Sequence, residues 1–211
     1  MKYEHIIWDF NGTILDDVET GIVSVNKLLS ERSLPIIESK ERYREVFRFP
    51  IKSYYETLGF DFEKEPYEVV APLWVEQYLI NVKNADMYSD VRDTLEFFRK
   101  NGVSQTVLSA TELNMLKTQL SELRVDGYFD EVLGLDNIHA ASKADIAIGW
   151  RQRHGGRTLL IGDTDHDLQV AGLIGADCAL VCRGHQSREY LASLCENIYD
   201  DLSQLRLDMT E

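Results

Sequence analysis

Short apolar segments alternate with amphipathic segments along most of the chain. The apolar segments are continuous and rich in residues that favour strands, and they occupy residues 5–10, 105–109, 129–133, 158–161 and 176–181. Continuous apolar runs of this length are typical of strands that are buried on both faces of a sheet. Because helical patterns lie between several of these segments, the chain is predicted to form an α/β fold with a parallel sheet flanked by helices.

One of the predicted helices precedes the second strand. Val91, Leu95 and Phe98 would share one face of this helix. Ser89 is a candidate N-cap, since its hydroxyl can accept from helix amides, and Gly102 is a candidate C-cap.

The segment between the first and second strands, residues 16–85, contains no convincing strand. Its first helix is predicted from four apolar residues at helical spacing, which are Val18, Ile22, Val25 and Leu29. Further helices are predicted at residues 39–47, 51–58 and 65–82. The block is rich in aromatic residues, which we expect to form its own core: Tyr43, Phe47, Phe49, Tyr54, Tyr55, Phe60, Phe62, Tyr67, Trp74 and Tyr78.

The net charge of −14 argues against nucleic acid and anionic membranes as partners. It does not exclude a phosphate substrate, because a divalent cation and a few basic side chains can reverse the sign within one pocket. Residues 1–5 lack the layout of a signal peptide, and no apolar run is long enough for a membrane span. A cytoplasmic location is therefore predicted, and monomer and homodimer are both left open.

Candidate chemistry follows the predicted strands, where ligands bind in an open parallel sheet. Residues 9–13 follow the first strand, Ser109 and Thr111 follow the second, and residues 162–167 follow the fourth. Lys143 opens the helix before the fourth strand. One edge of the sheet would thus collect carboxylates, hydroxyls and one lysine.

This combination of side chains suits phosphoryl transfer. Asp9 and Asp163 offer the hard oxygen ligands that Mg²⁺ prefers, and the metal would offset repulsion between a carboxylate nucleophile and a phosphate. Ser109 and Lys143 could bind the phosphate oxygens. Attack by the carboxylate would give an aspartyl-phosphate that water then cleaves.

Four motifs resemble those of the haloacid dehalogenase-like (HAD) superfamily, in the order found in that family. Asp9-x-Asn11-Gly12-Thr13 resembles the first motif, D-x-D-G-T, and Gly162-Asp163-Thr164-x-x-Asp167 resembles the fourth. Ser109 and Lys143 are placed like the second and third motifs. Together they span nearly the whole chain.

The resemblance implies a Rossmann-like HAD core of residues 1–14 and 86–211 with an inserted α-helical cap of residues 15–85, as in subfamily I phosphatases similar to phosphoglycolate phosphatase. It also implies Mg²⁺ as cofactor and a small phosphorylated metabolite as substrate. The implied catalytic residues are Asp9, Asn11 and Lys143. The implied metal ligands are Asp9, Asn11, Asp163 and Asp167. The implied phosphate-binding residues are Gly12, Thr13, Ser109, Ala110 and Lys143.

Position 11 departs from the family pattern, because Asn stands where the family's phosphatases have a second Asp. In those phosphatases this Asp protonates the leaving group and later activates water, and its backbone carbonyl binds Mg²⁺. Asn11 keeps the carbonyl and loses the proton chemistry. The substrate could have a leaving group that needs no proton, such as an acyl phosphate or a phosphoanhydride. Another group could substitute, with Asp165, His166 or a cap residue as candidates, or the chain could be a weakly active or engineered variant.

A loop of the cap is expected to contribute to substrate specificity. The loop at 47–52 is expected to face the active site as in related caps, so Arg48 or Lys52 is predicted to contact the non-reacting end of the substrate.

Asp16, Asp17 and Asp165 are interpreted as helix or loop charges, and the five histidines, His5, His139, His154, His166 and His185, show no metal-ligand spacing.

The alternative function is a phosphate-binding regulatory protein with a weakened active site. P-loop kinase and dinucleotide-dependent functions are excluded, because neither glycine-rich motif is present.

Overall fold

The computed structural model describes residues 2–135 and 142–210 of the chain. Within these residues the strands are β1 (His5–Trp8), β2 (Ser104–Glu112), β3 (Glu131–Leu135), β4 (Thr158–Gly162), β5 (Asp177–Val181) and β6 (Ile198–Tyr199). They form one parallel sheet with the order β3-β2-β1-β4-β5-β6. This arrangement confirms the predicted α/β, Rossmann-like fold.

Helices lie on both faces of the sheet and in the insert. The α-helices of the described residues are α1 (Val18–Glu31), α2 (Lys40–Val46), α3 (Ile51–Thr57), α4 (Tyr67–Asn81), α5 (Val91–Lys100), α6 (Leu113–Glu122), α7 (Lys143–Arg153), α8 (Asp165–Ile174), α9 (Arg188–Ala192) and α10 (Leu202–Asp208). Short 3-10 helices occupy Val82–Asn84 and Asp126–Tyr128. None of the described helices is long and apolar enough to cross a membrane; the cytoplasmic location stays a prediction.

The central strands explain why the sheet is covered on both sides. Successive side chains of a strand point to opposite faces, and in β1 all three last residues are apolar and buried. Ile6 and Trp8 pack into the cluster that includes α5, α6 and α10, while Ile7 packs with α7 and α8. A strand of this kind is stable only with apolar helices on both faces.

The four helices of the insert have a hydrophobic cluster of their own. Residues of α1 to α4 contribute most of it, and Trp74 packs against both this cluster and that of the sheet. The chain leaves and re-enters the sheet domain side by side, because Leu15 and Met87 form an antiparallel bridge. The division into residues 1–14 with 86–211 and residues 15–85 stays a prediction that this arrangement suits.

Several local predictions need correction. Strand β6 was not predicted, because two residues are too short to show a pattern, and β3 begins two residues later than expected. Strand β2 continues through Ser109 to Glu112, with a shift of register beyond Leu108. The N-cap of α5 is Asp90, not Ser89, and the Asp90 carboxylate instead accepts from Arg183 and the amide of Leu202.

Candidate active site

Asp9 lies directly after β1, in a buried position at the carboxyl edge of the sheet. Its amide donates to the carbonyl of Ile161, which continues the pairing with β4. The residue as a whole is 8% exposed. The chain then turns at Gly12, which has a φ of +74°. A Cβ at Gly12 would lie 2.3 Å from a carboxylate oxygen of Asp163. Only glycine therefore fits both the left-handed backbone and the close approach of the two loops.

Lys143 lies at the start of α7 and reaches into the same buried region. The helix begins with a capping box, in which Ser142 and Asp145 satisfy each other's amides. The Lys143 ammonium donates to Asp9 and to Oδ1 of Asp167, the latter at 2.6 Å. Although burial opposes the charge, these two carboxylates raise the pKa of Lys143, so the side chain stays protonated.

Asp163 and Asp167 follow β4 and are fixed by hydrogen bonds. Oδ2 of Asp167 accepts from the amides of Asp163 and Thr164 and from the Thr164 hydroxyl, which donates at 2.7 Å. Asp163 accepts from the hydroxyl of Thr13 at 3.0 Å and from the amide of His185 at 2.7 Å. Both carboxylates are thus held in place before any ligand binds.

The carboxylates of Asp9, Asp163 and Asp167 each place an oxygen within 4.8 Å of the others. With Lys143 they form what we call the carboxylate floor. Burial and the charge of Asp167 raise the pKa of Asp9 well above its ordinary value, and burial raises that of Asp163 to about 6. Lys143 pairs with Asp9 and Asp167 but not with Asp163, so a further cation could offset the remaining negative charge. Hard oxygen donors of this kind fit Mg²⁺.

The side chain of Asn11 is fully hydrogen-bonded beside the floor. Its Nδ2 donates to Asp17 at 2.9 Å and to the Tyr78 hydroxyl at 2.7 Å. Its Oδ1 accepts from the hydroxyls of Ser109 at 3.4 Å and Thr111 at 3.0 Å. The amide is oriented by these four contacts and has no proton to give to a leaving group.

Asp17 is the centre of a network that the sequence analysis missed. It is 1% exposed, and its carboxylate accepts from the amide of Gly12, from Asn11, from Tyr78 and from Nε2 of His185. Burial alone would raise the pKa of Asp17, but protonated His185 and the hydrogen bonds lower it. Asp17 therefore carries a stable buried negative charge. It lies at the start of α1, in agreement with the predicted helix or loop charge, but its burial and its partners were not predicted.

His185 completes this network from the loop after β5. Burial disfavours its charge, but the carboxylate of Asp17 raises the pKa of His185 to about 9. The protonated ring donates from Nε2 to Asp17 and from Nδ1 to the hydroxyl of Tyr43, the latter at 2.9 Å. Because the loop follows a strand at the same edge of the sheet, the rule used for the other loops would have found it.

A cavity of about 360 Å³ lies between the floor and the helical insert. Asn11, Ser109, Ala110 and Thr111 line it beside the floor. The side formed by the insert is aromatic and aliphatic. We call this side the apolar wall; it comprises Phe47, Phe49, Ile51, Trp74, Val75 and Leu79.

The residues predicted to contact the non-reacting end of the substrate lie elsewhere. Arg48 does not line the cavity, because its guanidinium lies 3.6 Å from the centre of the Tyr190 ring and donates to the carbonyls of Arg44 and Phe47. Lys52 lies beside the ring of Phe62 and does not line the cavity either. Neither side chain lines the cavity here, and the contact of Arg48 or Lys52 with a substrate stays a prediction.

The candidates for a substitute acid also differ in position. Both carboxylate oxygens of Asp165 are occupied, one by Gln186 and one by the Tyr190 hydroxyl, so Asp165 supports the loop. His166 lines the cavity and stacks on Phe49 with 4.8 Å between ring centres. Burial lowers the pKa of His166, which makes it a poor proton donor at neutral pH. His139 lies outside the described residues.

Comparisons with known proteins agree on one family. The family model of haloacid dehalogenase-like hydrolases matches residues 6–181. A phosphoglycolate phosphatase of Pseudomonas savastanoi pv. phaseolicola is 23% identical, covering 95% of this chain and 77% of the relative.

Solved structures show the same fold. A haloacid dehalogenase-like family hydrolase from Streptococcus pneumoniae superposes with a TM-score of 0.79 at 19% identity, over 99% of both chains. A predicted phosphoglycolate phosphatase from Haemophilus somnus superposes with a TM-score of 0.73 at 17% identity, over 100% of this chain and 99% of the other. The chain therefore belongs to the haloacid dehalogenase-like hydrolase family, and its predicted assignment as a phosphatase-type hydrolase similar to phosphoglycolate phosphatases is confirmed.

Proposed function

We propose that the protein is a magnesium-dependent phosphohydrolase that acts on a small phosphorylated metabolite through a phosphoaspartate at Asp9. The observation that carries this proposal is the carboxylate floor. Asp9 lines the cavity, and Lys143, Asp163 and Asp167 surround it. A carboxylate in such a place can attack phosphorus while cationic groups offset the developing charge.

The reaction has two balanced steps. A carboxylate oxygen of Asp9 forms a bond to phosphorus, and the bond from phosphorus to the leaving-group oxygen breaks with its electron pair on that oxygen. Water then attacks phosphorus and the bond to Asp9 breaks, which gives dihydrogen phosphate and restores the Asp9 carboxylate. Splitting the reaction in this way replaces one difficult displacement by two easier ones.

The residues around Asp9 have distinct proposed roles. Lys143, Ser109 and the backbone amide of Ala110 would bind the phosphate oxygens. The amides of Gly12 and Thr13, predicted for the same role, donate within the loop instead, to Asp17 and the carbonyls of Leu15 and Phe10. The carboxylates of Asp9, Asp163 and Asp167 and the carbonyl of Asn11 would hold Mg²⁺. When bound, the ion would supply positive charge against the phosphate and the crowded carboxylates.

Asn11 sets the limits of this chemistry. Its amide donates to Asp17 and Tyr78, so the leaving group must depart without a proton from position 11. We therefore expect the rate to depend steeply on the acidity of the leaving group. A flat dependence across aryl and alkyl phosphates would contradict this expectation.

A second candidate function is binding of a phosphorylated ligand without efficient turnover. The observation that favours it is the same amide, because general acid–base assistance is typically worth about 10²–10⁴-fold in rate. In this case Mg²⁺ would support binding of phosphate compounds, but phosphate release would stay at the background rate for every substrate.

The test measures phosphate release from acetyl phosphate, p-nitrophenyl phosphate, phosphoglycolate and sugar phosphates, with Mg²⁺ and with EDTA. Mass spectrometry of acid-quenched samples would locate the phosphoryl group. Asp9→Asn should abolish both signals. Asp16→Asn is the matched control, since Asp16 is an exposed carboxylate in the same loop.

Turnover that requires Mg²⁺ and a phosphoryl group on Asp9 would support the proposal. Turnover that survives in Asp9→Asn, or a phosphoryl group on another residue, would overturn it. Tight binding of phosphoglycolate or phosphate without any turnover would favour the second candidate.

A further inference from the structure

The apolar wall is the part of the cavity that a leaving group would face. Trp74 and Tyr78 of α4 stack with 5.0 Å between ring centres, and Phe47 and Phe49 meet edge to face at 5.6 Å. Val75 and Leu79 line the cavity although they are 46% and 39% exposed. Their apolar surface is thus not used up by packing within the insert, and it remains available to a ligand.

The described lining residues include two side chains that carry positive charge, Lys143 and His185, and both are already bonded to carboxylates. Among the described lining residues Lys143 is the only lysine or arginine, and it already bonds to Asp9 and Asp167. The six residues at 136–141 contain neither lysine nor arginine in the sequence. Both ring nitrogens of His185 are occupied by Tyr43 and Asp17. Among the described residues, the apolar wall therefore offers no lysine or arginine to a substrate with a carboxylate at its non-reacting end.

One further acidic residue lines the cavity, and it already has hydrogen-bond partners. Glu112 lines the cavity, where its carboxylate accepts from the amides of Asn114 and Met115 at the start of α6. Burying a substrate carboxylate that finds no partner of its own in the site is strongly unfavourable. The charge pattern therefore disfavours phosphoglycolate and other small substrates with two anionic ends.

The lack of a proton donor for the leaving group limits the class of substrate independently of the charge pattern. Asn11 offers no acid, and the hydroxyl of Tyr78 already donates to Asp17 at 2.6 Å. An alkoxide would leave slowly without a proton, whereas a phenolate is a much weaker base and leaves more readily. Aromatic rings also pack well against aromatic side chains in offset or edge-to-face geometry.

We propose that the substrates of this site are aryl phosphates, phosphate monoesters of an uncharged phenol whose ring lies against the apolar wall. The inference rests on the proposed phosphohydrolase function and adds the class of substrate. Asp9 would take the phosphoryl group, and the phenolate would depart with the electron pair of the broken bond and take its proton from solvent. The cavity volume is within the range of sites that enclose small ligands.

The first experiment separates ring recognition from leaving-group acidity. Initial rates with Mg²⁺ are compared for 4-methylphenyl phosphate and 4-(carboxymethyl)phenyl phosphate, which have leaving groups of similar acidity but differ by one negative charge. We expect kcat/KM to be higher for the uncharged ester by about tenfold or more. Acetyl phosphate serves as the reference for chemistry that does not involve the wall.

A pair of variants on α4 tests the wall directly. Leu79→Arg places a cation at the cavity, and it should narrow or reverse the preference by raising kcat/KM for the carboxylated ester relative to the uncharged one. Ile80→Arg is the matched control, because Ile80 is 56% exposed on the same helix and does not line the cavity. It should leave the preference unchanged.

The outcomes distinguish this inference from the proposed function. If acetyl phosphate is hydrolysed but the carboxylated ester or phosphoglycolate is preferred, the substrate class is wrong and the phosphohydrolase remains. Equal changes of preference in Leu79→Arg and Ile80→Arg would also overturn the role of the wall. If no compound is hydrolysed, acetyl phosphate included, the proposed function itself has failed.

Discussion

The carboxylate floor and the apolar wall face each other across one cavity but are built on opposite principles. Every carboxylate of the floor has defined hydrogen-bond partners, so its atoms are placed by the loops of a rigid sheet. The wall consists of side chains that pack by shape and present few polar groups. The floor determines which reaction takes place, whereas the wall determines which leaving groups bind well. Substitutions in the floor should therefore change turnover and stability, and substitutions in the wall should mainly change KM.

The largest expected effect comes from removing the only cation of the floor. Lys143→Met leaves Asp9 and Asp167 buried without their shared partner, which should lower the free energy of unfolding by about 3–5 kcal/mol and abolish turnover. Urea denaturation with EDTA and phosphate release with Mg²⁺ would measure the two losses. Lys100→Met, at an exposed position of α5, should change neither. A fully stable Lys143→Met protein would show that the floor does not depend on this ion pair.

The next prediction concerns the proton donor missing from the floor. In Asn11→Asp the new carboxyl would lie beside Asp17, whose charge should raise its pKa and keep it protonated. Hydrolysis of alkyl phosphates should then rise by about 10²–10⁴-fold, with little change for acetyl phosphate. Asn101→Asp, at the exposed end of α5, is the control. A parallel gain on both substrates would argue against a leaving-group effect.

Alanine substitutions at two glycines with similar φ angles should distinguish the cost of steric crowding from the cost of backbone strain. Gly12 and Gly102 have φ values of +74° and +70°, but only Gly12 would bring a Cβ into contact with the floor. Gly102→Ala should cost about 1 kcal/mol of stability. Gly12→Ala should cost more than about 2 kcal/mol and displace Asp163, with loss of turnover. Equal losses in denaturation experiments would mean that the close approach at Gly12 is unimportant.

The charged pair of Asp17 and His185 should make stability depend on pH. The pKa of His185 is raised from 6.5 to about 9, so its contribution is complete below pH 6.5 and is lost as pH rises through 9. The native protein should therefore lose about 1–3 kcal/mol relative to His185→Gln between pH 6 and pH 9.5. Urea denaturation in EDTA would measure this difference, and a difference independent of pH would contradict it.

The smallest expected effect lies in the wall. Trp74→Leu removes an aromatic surface but keeps an apolar side chain, so KM for 4-methylphenyl phosphate should rise by about threefold to tenfold. The KM of acetyl phosphate should change less, because that compound has no ring to pack against Trp74. A loss of kcat on both compounds would show instead that Trp74, which contacts both hydrophobic clusters, supports the position of the insert.

The alternation of apolar segments was sufficient to predict the sheet and the helical insert, because burial on both faces leaves a local trace in the sequence. The rule that ligands bind at the carboxyl ends of parallel strands likewise identified Asp9, Ser109 and Asp163 as candidates for one site. Asp17 was missed because its hydrogen bond to His185 joins residues 168 positions apart and it belongs to no motif. His185 was missed because the same rule was not applied to the loop after β5. The contact of Arg48 with the Tyr190 ring was likewise not predictable, since the local sequence around Arg48 gives no sign of it.

Asn11 also connects chemistry to motion, since its Nδ2 donates to Tyr78 on a helix of the insert. Withdrawal of α4 from the sheet would break this hydrogen bond and the one from Tyr78 to Asp17. A carboxylate at position 11 could not donate to both partners, so the amide favours the closed arrangement. We therefore expect Asn11, which cannot protonate the leaving group, also to slow the release of products from the closed cavity. Product release would then contribute to the turnover number.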